Sequence, residues 1–233
     1  STMSICSIEE VARNTSKPFW FQLYVMRDHD FAKRLVERAK AAQCSALVLT
    51  LDLQILGQRH ADIRNGLSIP LKIKLSNLFD LLSKPSWCYQ MARTKNRTFG
   101  NVMGHVKDIT NLNSLTKWVQ DQFDTRLNWD DVKRIKDWWG GKLIIKGIMD
   151  PDDAKMAQKC GADALVVSNH GGRQLDGVNS SISTLPEIKK AVSNMEVLMD
   201  GGISSGQDIL KAIAMGAEGV MIGRSFVYGL SAG

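Results

Sequence analysis

Three stretches of the 233-residue chain repeat one pattern: apolar positions at helical spacing, a short break, then a continuous apolar run. Phe31, Leu35, Val36 and Ala39 precede Gln43-Cys44-Ser45-Ala46-Leu47-Val48-Leu49. Ala154, Met156 and Ala157 precede Gly161-Ala162-Asp163-Ala164-Leu165-Val166-Val167, and Ile209, Leu210, Ile213 and Ala214 precede Gly216-Ala217-Glu218-Gly219-Val220-Met221-Ile222. An amphipathic helix followed by a uniformly apolar run is the pattern of a parallel strand buried on both faces. Residues 20–24, 143–146 and 197–200 supply three more such runs, so six strands are predicted.

The interiors of these runs are apolar and their carboxyl ends turn polar: Gln22 and Tyr24, Thr50 and Asp52, Lys146, Ser168 to His170, Asp200, and Gly223-Arg224. In a parallel α/β architecture the carboxyl ends of all strands open on one side, so these residues are expected to converge there. One interval breaks the rhythm. Residues 53–129 form a long excursion ahead of a helix expected at 130–139, and loops of that length are usually functional or disordered. Six units do not close an eight-stranded barrel, so either the sheet is open or two units lie outside this chain. No G-x-G-x-x-G or G-x-x-x-x-G-K-[ST] run is present, which argues against a Rossmann or Walker-type nucleotide site.

Composition narrows the field without deciding it. With 44% hydrophobic, 23% charged and 7% aromatic residues, the chain is an ordinary globular one, read as a single domain spanning 1–233. A net charge of +6 suits phosphate-bearing ligands, anionic substrates or anionic lipid, and nucleic acid is not required. Cys6, Cys44, Cys88 and Cys160 form no CxxC pair and lack His at ligand spacing, so no metal site is expected and free thiols in a reducing compartment are. No signal segment opens the chain and no run approaches the ~20 apolar residues of a membrane span, which predicts a cytoplasmic or peripheral protein. Residues 69–82 and the following Lys84, Trp87, Tyr89, Arg93, Lys95 and Arg97 mix basic, aromatic and aliphatic side chains, suiting a lid over the site or a segment lying in a membrane interface.

The chemistry concentrates in Ser168-Asn169-His170-Gly171-Gly172-Arg173-Gln174-Leu175-Asp176, directly after an apolar run. His170 supplies a base near neutral pH, and Arg173 a planar cation able to hold a carboxylate. Asp200-Gly201-Gly202 and Gly223-Arg224 close the last two strands, where barrels often build phosphate sites. Lys146 ends an apolar strand, an expensive place for an ammonium without an anionic partner, and a cofactor that becomes anionic during turnover would be one. Asp52 is placed to orient His170.

These residues carry a resemblance. The 168–174 block resembles the active-site signature of the FMN-dependent α-hydroxy-acid dehydrogenases and oxidases, most like bacterial respiratory L-lactate dehydrogenases. Ser1-Thr2-Met3, Phe21-Gln22-Leu23-Tyr24, Leu49-Thr50-Leu51-Asp52, Gly57-Gln58-Arg59-His60-Ala61-Asp62, Ile145-Lys146-Gly147, Asp200-Gly201-Gly202 and Ile222-Gly223-Arg224 follow in family order. The resemblance implies a (β/α)₈ TIM barrel, truncated at both ends, with about six of its eight units in this chain and 53–129 as a loop or lid after the fourth family strand. It implies FMN bound by Ser1, Gln22, Thr50, Lys146 and Ser168 around the ring and ribityl chain, and by Asp200, Gly202, Gly223 and Arg224 toward the phosphate. His170 would be the base with Asp52 its partner, Tyr24 a hydroxyl near the substrate, Arg59 and Arg173 the carboxylate clamp, and Lys146 the cation for reduced flavin. Ser204 stands where members usually carry an Arg.

The implied activity is oxidation of an L-2-hydroxy acid, L-lactate to pyruvate first among the candidates. The implied setting is the cytoplasmic face of the inner membrane, with a quinone or cytochrome accepting electrons and a homo-oligomer at full length. A soluble oxidase that yields hydrogen peroxide and a non-catalytic barrel fragment are the alternatives.

Overall fold

Period-two alternation along the strands sorts their side chains onto two apolar faces. Leu47, Leu49, Leu143, Ile145, Leu165, Val167, Val197 and Met199 lie in one large core with helix residues such as Phe31, Leu35, Ala154 and Leu185. The alternate positions Ala46, Val48, Ile144, Ala164 and Val166 form a second, smaller cluster with Leu198 and Met221, to which no helix contributes among the described residues. Two buried faces explain why the strands read as unbroken apolar runs.

In this computed structural model, residues 1–53, 57–66, 75–106, 118, 121, 122 and 126–232 are described. Six parallel strands, β1 (Trp20–Tyr24), β2 (Ala46–Thr50), β3 (Leu143–Ile148), β4 (Ala164–Val167), β5 (Glu196–Met199) and β6 (Gly219–Val220), pair strictly in chain order. A doubly wound sheet reverses its strand order at a switch point. Uninterrupted progression, with the described helices packing on one face, is the arrangement of a (β/α)₈ barrel wall, here as six consecutive strands.

The repeated helix-to-strand break has a common geometry. Helices α1 (Ile8–Arg13) and α2 (His29–Ala41) flank β1. After α2, the Cys44 N–H donates to the Ala39 carbonyl five residues back; Ala162 does the same to Ala157, and Ala217 to Ala212, each at 3.1 Å. The residue before each donor, Gln43, Gly161 or Gly216, has positive φ. This is the Schellman ending, which satisfies orphan carbonyls and turns the chain directly into the next strand. Gln43 adopts it without being glycine, which is why the first repeat is the least obvious of the three.

The excursion contributes α3 (His60–Arg64), α4 (Leu75–Leu82) and α5 (Pro85–Arg93), and rejoins the wall at α6 (Trp129–Trp139). The expected apolar and basic stretch at 69–82 is described from 75 onward; 69–74 lie outside the described residues. α6 starts one residue earlier than the periodicity predicts, because Asn128 caps it in a box with Asp131. The remaining helices are α7 (Pro151–Lys159), α8 (Ser181–Ala191), α9 (Gly206–Ala214) and α10 (Arg224–Ala232). No described helix is long and apolar enough to cross a membrane.

A bidentate pair clamps α1 to α2: Arg38 Nε donates to Glu9 Oε1 at 2.7 Å and Nη2 to Oε2 at 2.9 Å. The Arg38 guanidinium holds the Glu9 carboxyl down at about 2. A depressed carboxylate contributes stability that is complete above its unfolded value, near 4.5, and fades as pH falls toward 2. Because Glu9 is 41% exposed, solvent screening limits the pair to ~1 kcal/mol or less. Glu9→Gln is therefore expected to lower unfolding stability by up to that amount at pH 7 and by almost nothing near pH 2.5. Equal losses at both pH values in urea titrations would contradict the assignment.

Candidate active site

The polar row at the mouth of the sheet continues the face of the smaller apolar cluster. Two residues beyond Val48, Ile144, Val166 and Leu198 stand Thr50, Lys146, Ser168 and Asp200, and two further on from Thr50 and Ser168 stand Asp52 and His170. Strand alternation aims Thr50 and Lys146 to that side, and the turns after β2, β4 and β5 bring Asp52, Ser168, His170 and Asp200 around them. Pairing of Tyr24 with Thr50, Thr50 with Lys146, and Lys146 with Val166 places them in adjoining rows.

Lys146 is the centre. Nine per cent exposed, it donates from Nζ to Ser168 Oγ at 2.8 Å and lies 3.1 Å from Asp200 Oδ2 and 3.9 Å from Asp52 Oδ2. Asp52 Oδ1 is 2.8 Å from His170 Nδ1. A carboxylate only accepts, so Nδ1 carries the proton and Nε2 is left as the accepting nitrogen. Ser168 Oγ also receives the His170 N–H at 3.1 Å, linking the lysine and histidine through one hydroxyl.

Backbone features set these positions. β3 and β4 lose register between Lys146 and Ile148, a bulge centred on Gly147, whose φ is +104°. A Cβ there would meet Asp52 Cβ at 2.8 Å, so glycine is what lets the Asp52 carboxylate reach both Lys146 and His170. His170 itself has φ +56°, left-handed for a non-glycine residue, a strain of the kind that collects at functional sites.

A cleft of about 660 Å³, within the range of small-molecule sites, is lined by Ser1, Gln22, Tyr24, Thr50, Lys146, His170, Arg173, Asp200, Gly202, Ser204, Gly223 and Arg224 among others. Along one wall Ser1 Oγ donates to Gln22 Oε1 at 2.7 Å and Gln22 Nε2 to Thr50 Oγ1 at 3.0 Å. Burial first, and the Asp52 carboxylate second, push the Tyr24 phenol up, keeping it a proton donor at neutral pH. Gly223 and Arg224 also line the cleft where the last helix opens, and a Cβ at Gly171, next to His170, would lie 3.2 Å from Arg224 Nη2.

Of the predicted residues, Asp52 and Ser168 sit behind the cleft wall and act on it through His170 and Lys146. Arg59 lies near enough to Tyr24 for its charge to act on the phenol, opposing the upward push. Its Nη2 donates to Gln174 Oε1 at 2.8 Å and its Nε to the Arg173 carbonyl at 3.4 Å, so it braces the Arg173 segment. A Cβ at Gly57 would lie 2.1 Å from that same carbonyl, a backbone approach open to glycine alone. Asp62 and Gln174, to which sequence reasoning assigned no role, belong here: Asp62 Oδ2 is 3.6 Å from Arg173 Nη2. Their place in the Arg59-His60-Ala61-Asp62 and Arg173-Gln174 motifs was the available signal. Ser204, where an Arg was expected, donates to Asp208 Oδ2 at 3.0 Å.

Two buried carboxylate oxygens, Asp52 Oδ2 and Asp200 Oδ1, have no hydrogen-bond partner among the described residues. Asp52 Oδ2 faces the Lys146 ammonium behind the wall, while Asp200 belongs to the cleft lining and brings a carboxylate beside the space a hydroxyl-bearing ligand would fill. With the buried Lys146, the Arg224 cation and the backbone of Gly201, Gly202 and Gly223 around one cleft, the residues fit a phosphorylated compound that also carries hydroxyls. The whole chain, residues 1–233, matches the family described as FMN-dependent dehydrogenase. The chain belongs to that family.

Relatives agree with the placement. An L-lactate dehydrogenase of Haemophilus influenzae (strain ATCC 51907 / DSM 11121 / KW20 / Rd) is 45% identical over 234 residues, covering 100% of this chain and 61% of that protein. One from Allorhizobium ampelinum (strain ATCC BAA-846 / DSM 112012 / S4) is 46% identical over 234 residues, covering 100% and 62%. Among solved structures, the monotopic membrane protein (S)-mandelate dehydrogenase superposes with a TM-score of 0.92 at 34% identity, over 99% of this chain and 61% of that one. A mandelate oxidase gives 0.76 at 36% identity, over 99% and 57%. The chain thus spans about three fifths of the length of the relatives it matches.

Proposed function

We propose that this chain carries the FMN pocket and catalytic side chains of an enzyme that oxidises an L-2-hydroxy acid to the 2-oxo acid, L-lactate being the favoured substrate. FMN, when bound, accepts the electron pair that leaves the substrate. The observation that carries the reading is the single cleft shared by the His170–Asp52 pair, the buried Lys146 and the Gly223–Arg224 end.

In this reading Arg173, oriented by Asp62 and braced by Arg59 through Gln174, holds the substrate carboxylate. Tyr24 donates its phenol to substrate oxygen. His170 takes a proton at Nε2, and Asp52 at Nδ1 stabilises the imidazolium that results. Lys146 would supply a cation for the reduced, anionic form of the cofactor, and Asp200 and the Ser1–Gln22–Thr50 chain would hold its hydroxyls and polar ring groups. The relatives named L-lactate dehydrogenase support lactate over larger acids.

The excursion supports a lipid-surface location. Leu75, Phe79 and Leu82 on α4 and Trp87 and Tyr89 on α5 are all more than half exposed, beside Lys84, Arg93, Lys95 and Arg97. Apolar and aromatic side chains mixed with cations suit the headgroup boundary of anionic lipid. The solved relative titled a monotopic membrane protein is consistent with this. A membrane-borne quinone or cytochrome is then the acceptor.

His170→Gln is expected to retain FMN while lowering kcat by about 10²- to 10⁴-fold, the range of a lost general base. Turnover within a few-fold of the parent protein, measured with an artificial dye acceptor, would reject the assignment. Co-sedimentation with vesicles containing phosphatidylglycerol, and little peroxide during turnover in air, are expected of the parent protein; stoichiometric peroxide without lipid binding would favour a soluble oxidase.

A further inference from the structure

Residues 99–106, where the excursion returns to the wall, seat beneath the first segment of the chain. The Gly100 N–H donates to the Ser4 carbonyl at 3.0 Å, and a Cβ at Gly100 would lie 2.5 Å from the Ile5 carbonyl. The next residue, Asn101, is 1% exposed. Its Oδ1 accepts from the Ile8 N–H at 2.9 Å and from Arg38 Nη2 at 3.2 Å, and its own carbonyl accepts from Arg38 Nη1 at 3.1 Å. Its Nδ2 donates to the Ser1 carbonyl at 2.9 Å, an oxygen that also receives the Ser4 N–H.

Ser1 opens the hydrogen-bond chain along the cleft wall. Its hydroxyl reaches Gln22, which reaches Thr50. Thr2 donates both its N–H and its hydroxyl to the Gln22 carbonyl, and the same hydroxyl accepts from the Tyr24 N–H. Asn101 therefore sits one bond behind the segment that orders Gln22 and Tyr24, and it arrives there from the excursion, not from a strand of the wall. A buried side chain amide that uses both faces of its oxygen and one N–H has a single orientation available, so it transmits position.

We propose that Asn101 is a positioning residue of the cofactor cleft: by holding the Ser1 carbonyl it sets the Ser1–Gln22–Thr50 chain, and it ties the shape of the cleft to the seating of the excursion. This inference rests on the FMN reading above. A consequence is reciprocity, since a pocket that depends on residues 99–106 must, when filled, steady them in turn.

Asn101→Asp separates this role from plain structural support, because it keeps an oxygen facing Ile8 and Arg38 and replaces the donor to Ser1 by a carboxylate oxygen that repels the Ser1 carbonyl. In the full-length chain, the FMN dissociation constant is measured by flavin fluorescence quenching for the parent, N101D, S1A and the double variant. About a tenfold weakening is expected for each single variant, the size of one hydrogen bond, with the double variant no weaker than about tenfold in all. Multiplying effects, or an N101D affinity equal to the parent's, would overturn the proposal while leaving the FMN reading intact; a parent chain that fails to bind FMN would overturn both. If N101D does not fold, amide exchange of the parent protein decides the matter: added FMN should slow exchange in 99–105, and unchanged exchange there would overturn the proposal.

Discussion

An ammonium group buried at the mouth of a parallel sheet must be surrounded by anions or give up its proton, and the strands beside Lys146 supply those anions. Asp200 and Asp52 flank it, Ser168 takes one of its hydrogens, and each of these groups has a second task. Asp52 fixes the ring of His170; Asp200 is part of the cleft lining; Ser168 receives the His170 N–H. Taking two charges out of water is costly unless their geometry is good and their remaining valences are met. The parallel register, the bulge at Gly147 and the left-handed turn at His170 are the means by which β3 and β4 meet that condition.

The unmet valences are as informative as the satisfied ones. Asp52 Oδ2 and Asp200 Oδ1 are buried without a hydrogen-bond partner among the described residues, and Arg224 adds a cation to the cleft lining. A cleft that brings a carboxylate and an arginine together beside glycine backbone suits a molecule that carries both hydroxyls and an anion. The family match names the cofactor, and the cleft lining is compatible with it.

Much of the wall and its polar row can be read from the letters because strand periodicity is a local property. Val48 to Thr50, Ile144 to Lys146 and Leu198 to Asp200 each change from apolar to polar at a spacing of two, which is the same signal that places them on one face. Contacts made by the excursion escape that logic. Gly57 under the Arg173 carbonyl, Arg59 on Gln174, Asp62 on Arg173 and Asn101 on Ser1 join residues about a hundred positions apart with no periodicity to announce them. β6, only two residues long, is shorter than its apolar run suggests, and Gln43 ends α2 in a conformation usually left to glycine. The bracing contacts of Arg59 are likewise invisible without coordinates, since its motif position is the same whether it clamps a substrate or braces the arginine that does.

The central claim, that Lys146 is the fixed cation facing the cofactor ring, is tested most directly by the two-electron midpoint potential of bound FMN in the parent protein and in Lys146→Met. Losing the cation while its two carboxylates stay should disfavour the reduced, anionic flavin and lower the potential by ~30 mV or more, about a tenfold change in the equilibrium. A potential that is unchanged or higher would mean that the lysine does not act on the flavin.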